Sequence, residues 1–227
     1  MLDLEIKLSR RDFAFLVVFG IAALVAARIN FSQVLGPEPN QSFTFFQFFG
    51  PVAAAFIGPV LGLGAILASE IANAILLGKS FTLIEMARLF PMLFAALYFA
   101  KGKNPLGIGL PLICMALFIA HPVGGQAWYF SLYWLIPVIA AFLPQKLFLR
   151  SLGATFTAHA VGSVVWLYTF QTAPAFWLAL IPVVAFERLM FASGISVSYV
   201  ALNTLLAKAE SIFGLKSINI DERYVLG

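Results

Sequence analysis

The sequence predicts an all-α bundle of transmembrane helices, and three observations carry that expectation. Hydrophobic residues make up 62% of the 227 and charged residues only 11%, against roughly half and a quarter in soluble domains. Mean hydropathy is +0.97. Polar and charged residues are confined to short gaps between apolar runs, several of them near the ~20 residues that a spanning helix needs. A soluble domain would instead spread polar side chains over its surface. The chain therefore reads as one integral membrane domain over 1–227, with the bundle in 12–207 and a cytoplasmic tail in 208–227.

The first element, 12–28, follows a segment holding Lys7, Arg10 and Arg11, and no small-residue cleavage site comes after it. It reads as a retained helix with a cytoplasmic N-terminus. Further apolar runs occupy 43–78, 81–100, 106–121, 127–144, 152–170 and 174–207. Lys101 with Lys103, Lys146 with Arg150, and Lys208 with Lys216 mark cytoplasmic loops and a cytoplasmic C-terminus, while the loops at 122–126 and 171–174 carry no Lys or Arg. This alternation requires 43–78 to cross twice or to dip and return. The expectation is about eight crossings, or six plus a re-entrant helical hairpin at 43–78.

Within that run, Gly50-Pro51 and Gly58-Pro59 are where the chain should turn, because Pro removes a donor and disfavours helix in the residue before it. Irregular backbone at membrane depth needs a protein or cavity environment. A hairpin breaking near Gly58 is expected, with its first arm, 43–57, short for a full crossing at ~1.5 Å per residue. Gly62, Gly64, Ala68 and Ala72 suit close helix packing. The final run is expected to cross once, with a bend or interfacial extension near Pro182.

Glu70, Glu85, Arg88, His159, Glu187 and Arg188 fall inside these runs, where each charge costs about 3 kcal/mol or more at a helix centre unless it is paired or hydrated. Glu85 and Arg88 can pair at i,i+3. Glu187 and Arg188 are adjacent, so they point about 100° apart and should not share one partner; one of them is expected to pair across helices with Glu70 or Glu85. Three glutamates against two arginines leave one negative charge for a proton, a cation or an amine. Glu70, Asn73, Glu85, Arg88, Trp128, Trp134 and Glu187 are the candidate ligand-binding residues, the tryptophans as aromatic walls of an outward-facing pocket that Trp166 and Trp177 also flank. The plainer readings are structural ion pairs and membrane-interface tryptophans. His159 is either a core histidine satisfied by its Thr and Ser neighbours or a proton relay.

Several function classes find no support. There is no HExxH or Cys/His cluster, no GxSxG and no phosphate-binding glycine loop, so no metal site, cofactor or enzymatic activity is expected. The single cysteine, Cys114, lies in an apolar run and reads as core packing. The net charge of +4 suits anionic lipid headgroups, and no aromatic-interleaved basic surface points to nucleic acid.

The stretch "FTFFQFFGPVAAAFIGPVLGLGAILASEIANAIL", followed by "ARLFPMLFAALYFAKGK", resembles the substrate-binding S component of energy-coupling-factor vitamin transporters over about residues 12–103. The shared features are Gly58-Pro59 ending an apolar helix, a Gly-rich helix from Gly62 to Ala72 with one acidic residue, Glu70, and Arg88 with Pro91 before the basic turn at Lys101. The resemblance implies a multi-pass plasma or inner membrane protein that captures a small solute from outside and docks on a transmembrane coupling subunit with ATPase subunits. It further implies a docking pair of alanines on the first helix, Ala22 with Ala26 or Ala23 with Ala27. Solute binding and uptake is thus the leading expectation. An autonomous proton-coupled carrier and a non-transporting scaffold or assembly subunit remain the alternatives.

Overall fold

The computed structural model describes residues 9–33, 42–101, 103–213 and 218–227. The topology markers Lys7 and Lys216 lie outside the described residues. Helix α1 (Arg10–Ala26) opens with a reciprocal cap, in which Ser9 accepts from the Asp12 amide and Asp12 accepts from the Ser9 amide. It leads into a two-stranded antiparallel ladder, β1 (Asn30–Gln33) and β2 (Ser42–Thr44). Next come α2 (Phe46–Phe49), a 3-10 turn at Gly50–Val52, α3 (Ala53–Ile57) and α4 (Pro59–Leu76).

After α5 (Leu83–Ala87) and α6 (Phe90–Lys101) the chain continues through α7 (Pro105–Ala120) and the short α8 (Pro122–Gln126). A 3-10 stretch at Trp128–Trp134 runs into α9 (Leu135–Phe142), and α10 (Leu147–Thr169) and α11 (Pro174–Phe213) complete the bundle. The architecture is nearly all-α. Three helical stretches, Pro59–Leu76, Leu83–Lys101 and Pro174–Ser211, are long and apolar enough to cross a membrane, with shorter apolar helices at Asp12–Ala26, Phe46–Ile57, Pro105–Ala120 and Trp128–Phe142.

The two Gly-Pro pairs behave differently. At Gly50-Pro51 the chain does not turn back but tightens into the 3-10 turn, because Pro51 sits in the first positions of a helix, where no amide donor is required. At Gly58 the helix ends outright: its φ of 80° and ψ of 161° lie in a region open essentially to glycine alone. Beyond this break α4 folds back against α3, and Gly62 meets the Ala54 backbone so closely that a Cβ would overlap it. Pro182 lies within α11, which runs as one helix of 40 residues. At ~1.5 Å per residue that helix is about 60 Å long, twice the ~30 Å of a hydrocarbon core, and it carries the chain past the expected end of the bundle at residue 207.

Helix α10 is the hub, packed on α6, α7, α9 and α11. Its buried Ser151, Gly153, Ala154 and Ala160 let these neighbours approach. Gly153 faces the Tyr98 ring with no space for a methyl group, and the Tyr98 hydroxyl donates to the Pro137 carbonyl at 2.6 Å. One apolar cluster gathers Phe15, Phe19, Phe56, Ile66, Phe99 and Tyr199. A second gathers Phe118, Phe130, Trp134, Phe156 and Trp177. Cys114 belongs to this second cluster, buried and free.

The C-terminal residues return to the bundle. Asn219 donates its amide to the Phe56 carbonyl at 2.9 Å, a group whose ordinary helical partner, the amide four residues on, is displaced by the Gly58 break. Asp221 donates its amide to Asn203 Oδ1 at 2.7 Å, Leu226 donates to Thr204 Oγ1 at 3.0 Å, and Tyr224 meets Tyr199 edge-on.

Candidate functional site

A cavity of about 300 Å³ lies among β2, α2, α4, α6, the 3-10 stretch before α9, α10 and α11. Its polar lining brings Glu70, Arg88, His159, Glu187 and Arg188 together with Ser42, Gln47 and Ser163, and its walls include Phe43, Phe130, Trp166, Phe176 and Trp177. Five of the six ionisable residues singled out from the sequence thus meet at one place; the sixth, Glu85, pairs with Arg88 from just outside the lining.

The charges are handled unequally. Arg88 is neutralised by Glu85 at the expected i,i+3 spacing, and its guanidinium lies over the rings of Trp166 and Phe170, at 5.6 and 5.8 Å from their centres. The expected cross-helix pair of Glu187 or Arg188 with Glu70 or Glu85 does not form among the described residues; the two pair with each other, Arg188 Nη2 donating to Glu187 Oε2 at 3.4 Å, and both line the cavity. Long side chains on neighbouring positions bridge the 100° between their Cβ directions. Glu187 Oε1 also accepts from Ser32 Oγ at 3.2 Å, while Arg188 reaches Thr155 Oγ1 at 3.4 Å and lies over Phe43 and Phe191, at 5.0 and 4.6 Å from the ring centres. The β1–β2 ladder is thereby fastened to α11 through both members of the pair.

Glu70 forms no cross-helix ion pair. It has no cationic partner among the described residues, and its Oε2 is buried without a hydrogen bond. Arg188 Nε and Trp166 Nε1 are likewise buried and unpartnered, and both residues line the cavity. Three buried polar atoms of lining residues, one acceptor and two donors, are therefore left without a partner in the protein.

Trp134 Nε1 donates to His159 Nδ1 at 3.1 Å. An indole nitrogen only donates, so Nδ1 carries the lone pair and the neutral ring holds its hydrogen on Nε2. His159 is thus a cavity-lining group of defined tautomer, held by an aromatic partner instead of the neighbouring hydroxyls: Thr157 Oγ1 bonds the Gly153 carbonyl and Thr155 receives Arg188.

Three expected lining residues lie elsewhere. Trp134 is fully buried behind His159. Trp128 is half exposed and meets only Tyr129 edge-on among ring contacts, because it begins a 3-10 stretch and stands at the rim of that element. Asn73, one turn beyond Glu70 on α4, lies outside the lining with its Oδ1 buried and unpartnered. Trp166 and Trp177 supply the tryptophan walls, and Phe43, Gln47, Phe130 and Phe176 are lining residues that the sequence reading did not select.

The alanine pairs on α1 do not form an outward docking stripe. Ala23 and Ala26 are buried in the core with Phe15 and Phe19, so neither Ala22 with Ala26 nor Ala23 with Ala27 presents two exposed methyls. No group of three or more His, Cys, Asp or Glu side chains able to hold a metal ion occurs among the described residues. Compared with known proteins, the chain matches no family model, no curated protein and no solved structure.

Proposed function

We propose that this chain is a multi-pass membrane protein that binds a small solute inside its helix bundle and serves its uptake. The observation that carries the reading is the aromatic-walled cavity with a few convergent polar groups, two donors and one acceptor of which lack partners. That is the character of a small-molecule site, and intramembrane ionisable residues mark solute or ion pathways by default.

The topology proposed with it has both termini in the cytoplasm and eight passes: α1, α2–α3, α4, α5–α6, α7, the 3-10 stretch with α9, α10 and α11. The basic residues Lys101, Lys103, Lys146, Arg150 and Lys208 support that orientation. The α2–α3 arm is only roughly 18 Å long at ~1.5 Å per residue, so the alternative is six passes with α2–α3 and α4 as a re-entrant hairpin that turns at Gly58. A capture subunit that works with a coupling subunit and ATPases is the form of uptake favoured by the resemblance of residues 12–103, through Gly58, Glu70 and Arg88. Because Glu70 and His159 line one cavity, proton-coupled transport by the chain alone is the second reading.

The test is purification from the native membrane in mild detergent, with mass spectrometry of accompanying proteins and bound small molecules, and uptake measured in liposomes holding this chain alone. ATPase subunits together with a bound solute support the capture reading. Uptake by the chain alone that collapses with the pH gradient transfers support to the carrier. A chain that comes down without solute or partners and moves nothing opposes both.

A further inference from the structure

The cavity carries information about the charge of its ligand, and this inference rests on the solute-binding reading. Of the charged groups in and beside the lining, Arg88 is neutralised by Glu85 and Arg188 by Glu187. Glu70 alone has no counter-charge among the described residues, and one of its carboxylate oxygens is buried without a hydrogen bond. A lone carboxylate at membrane depth is stable only with a proton or a cation beside it.

A proton alone would satisfy Glu70 but leave the rest of the cavity unused. Of its aromatic lining, Trp166 and Phe176 are partly exposed, whereas Phe130 and Trp177 are fully buried in the packing, with Phe176 edge-on to Trp177 at 5.4 Å between centres. Partly exposed aromatic rings suit a flat ring or an ammonium group. The wall also holds two buried donors without acceptors, Trp166 Nε1 and Arg188 Nε. At about 300 Å³ the space matches the lower end of small-molecule sites.

We infer that the cavity takes a small organic monocation bearing a flat ring, its charge set against Glu70 and its ring against Trp166 and Phe176. A metal ion would find a single unpaired carboxylate, and no group of three or more His, Cys, Asp or Glu able to hold it occurs among the described residues. An anion would face the unpaired Glu70 across a cavity whose arginines each already have a carboxylate counter-charge. The cation needs no such rearrangement.

The experiment uses the full chain in lipid nanodiscs, titrated with benzyltrimethylammonium, benzyl alcohol and benzoate, which share a ring and differ in charge. Binding is read by tryptophan fluorescence and by the shift in melting temperature. The expected result is saturable binding with benzyltrimethylammonium tightest, weakened at least about tenfold by Glu70→Gln, whereas benzyl alcohol binds that variant as it binds the natural chain. Phe176→Leu should weaken both probes and guards against a Glu70→Gln protein that fails to fold. Preference for benzoate, or equal binding of all three probes, overturns the cation assignment and leaves the solute site standing. Absence of saturable binding for every probe overturns the assignment and counts against the solute site itself.

Discussion

Trp134 donates its indole N–H to Nδ1 of His159 at 3.1 Å, from a fully buried position behind the cavity wall. The bond sets which ring nitrogen holds the hydrogen. In the natural protein, nitrogen chemical shifts of His159 should report a single neutral tautomer with the hydrogen on Nε2. Trp134→Phe should give a mixture and lower stability by about 1 kcal/mol for the lost bond, on top of any packing loss. A mixture already present in the natural protein would show that the bond does not control the ring.

Gly58 separates two costs that are usually entangled. A Cβ there would meet nothing within 4 Å, so the penalty of Gly58→Ala is purely one of backbone conformation, about 1–3 kcal/mol. Gly64 also has open space but sits inside α4, and Gly64→Ala should change stability by no more than about 0.5 kcal/mol. Thermal unfolding of the two variants in one detergent makes the comparison; equal melting temperatures would mean that Gly58 does not need its left-handed conformation.

Gly153 and Tyr98 test the packing of the hub. The Tyr98 ring is buried and its hydroxyl is held by the Pro137 carbonyl, so it cannot yield to a methyl group added at Gly153. Gly153→Ala should cost about 1–3 kcal/mol. Combined with Tyr98→Leu, the loss should be clearly less than the sum of the two single changes. Simple additivity would place the strain of Gly153→Ala elsewhere.

The Glu187–Arg188 pair should be worth less than its disruption suggests. Arg188→Met leaves Glu187 poorly compensated in a largely buried site and should cost about 3 kcal/mol. Glu187→Gln made in the same chain should recover a substantial part of that loss. Chemical denaturation of the two variants decides it, and a double variant less stable than Arg188→Met would mean that Glu187 does not depend on its neighbour.

The returning C-terminal segment has a defined pH response. Its Asp221 carboxyl is held below the usual carboxylate range chiefly by hydrogen bonds from the Arg223 side chain, at 2.9 and 2.7 Å. A depressed folded value means that this contribution is complete above about pH 3.9, the ordinary value of an unfolded Asp, and fades as pH falls through the lower folded value. Amide exchange protection at Asn219 and Leu226 should therefore persist from neutral pH to about pH 4. Loss of protection already near pH 6 would assign the docking to another titrating group.

Much of this arrangement was legible in the chain because it follows from local rules. Apolar length gives the helices, Gly58 before Pro59 gives the break, and the three-residue spacing of Glu85 and Arg88 gives their pair. What escaped depends on contacts between distant segments. Ala22 with Ala26, or Ala23 with Ala27, reads as a small-residue pair, but Ala23 and Ala26 each lie buried in the cluster that holds Phe15, Phe56 and Ile66. Phe43 reads as one more phenylalanine in an aromatic run, and only the ladder of β1 with β2 delivers it to Arg188. The choice between Trp134 and Trp177 as cavity wall turns on the 3-10 winding of Trp128–Trp134, which alters the faces that a 3.6-residue period would assign.

The bond from Asn219 to the Phe56 carbonyl also orders events in time. Phe56 leaves the ribosome more than 150 residues ahead of its partner, so throughout synthesis of the intervening helices the break at Gly58 carries an unanswered carbonyl. Water, lipid headgroups or an insertion factor must serve it in the interim. A nascent chain stalled before Asn219 should keep the α3–α4 turn loose and accessible, and translation through Asn219 then becomes the step that locks a hinge made much earlier.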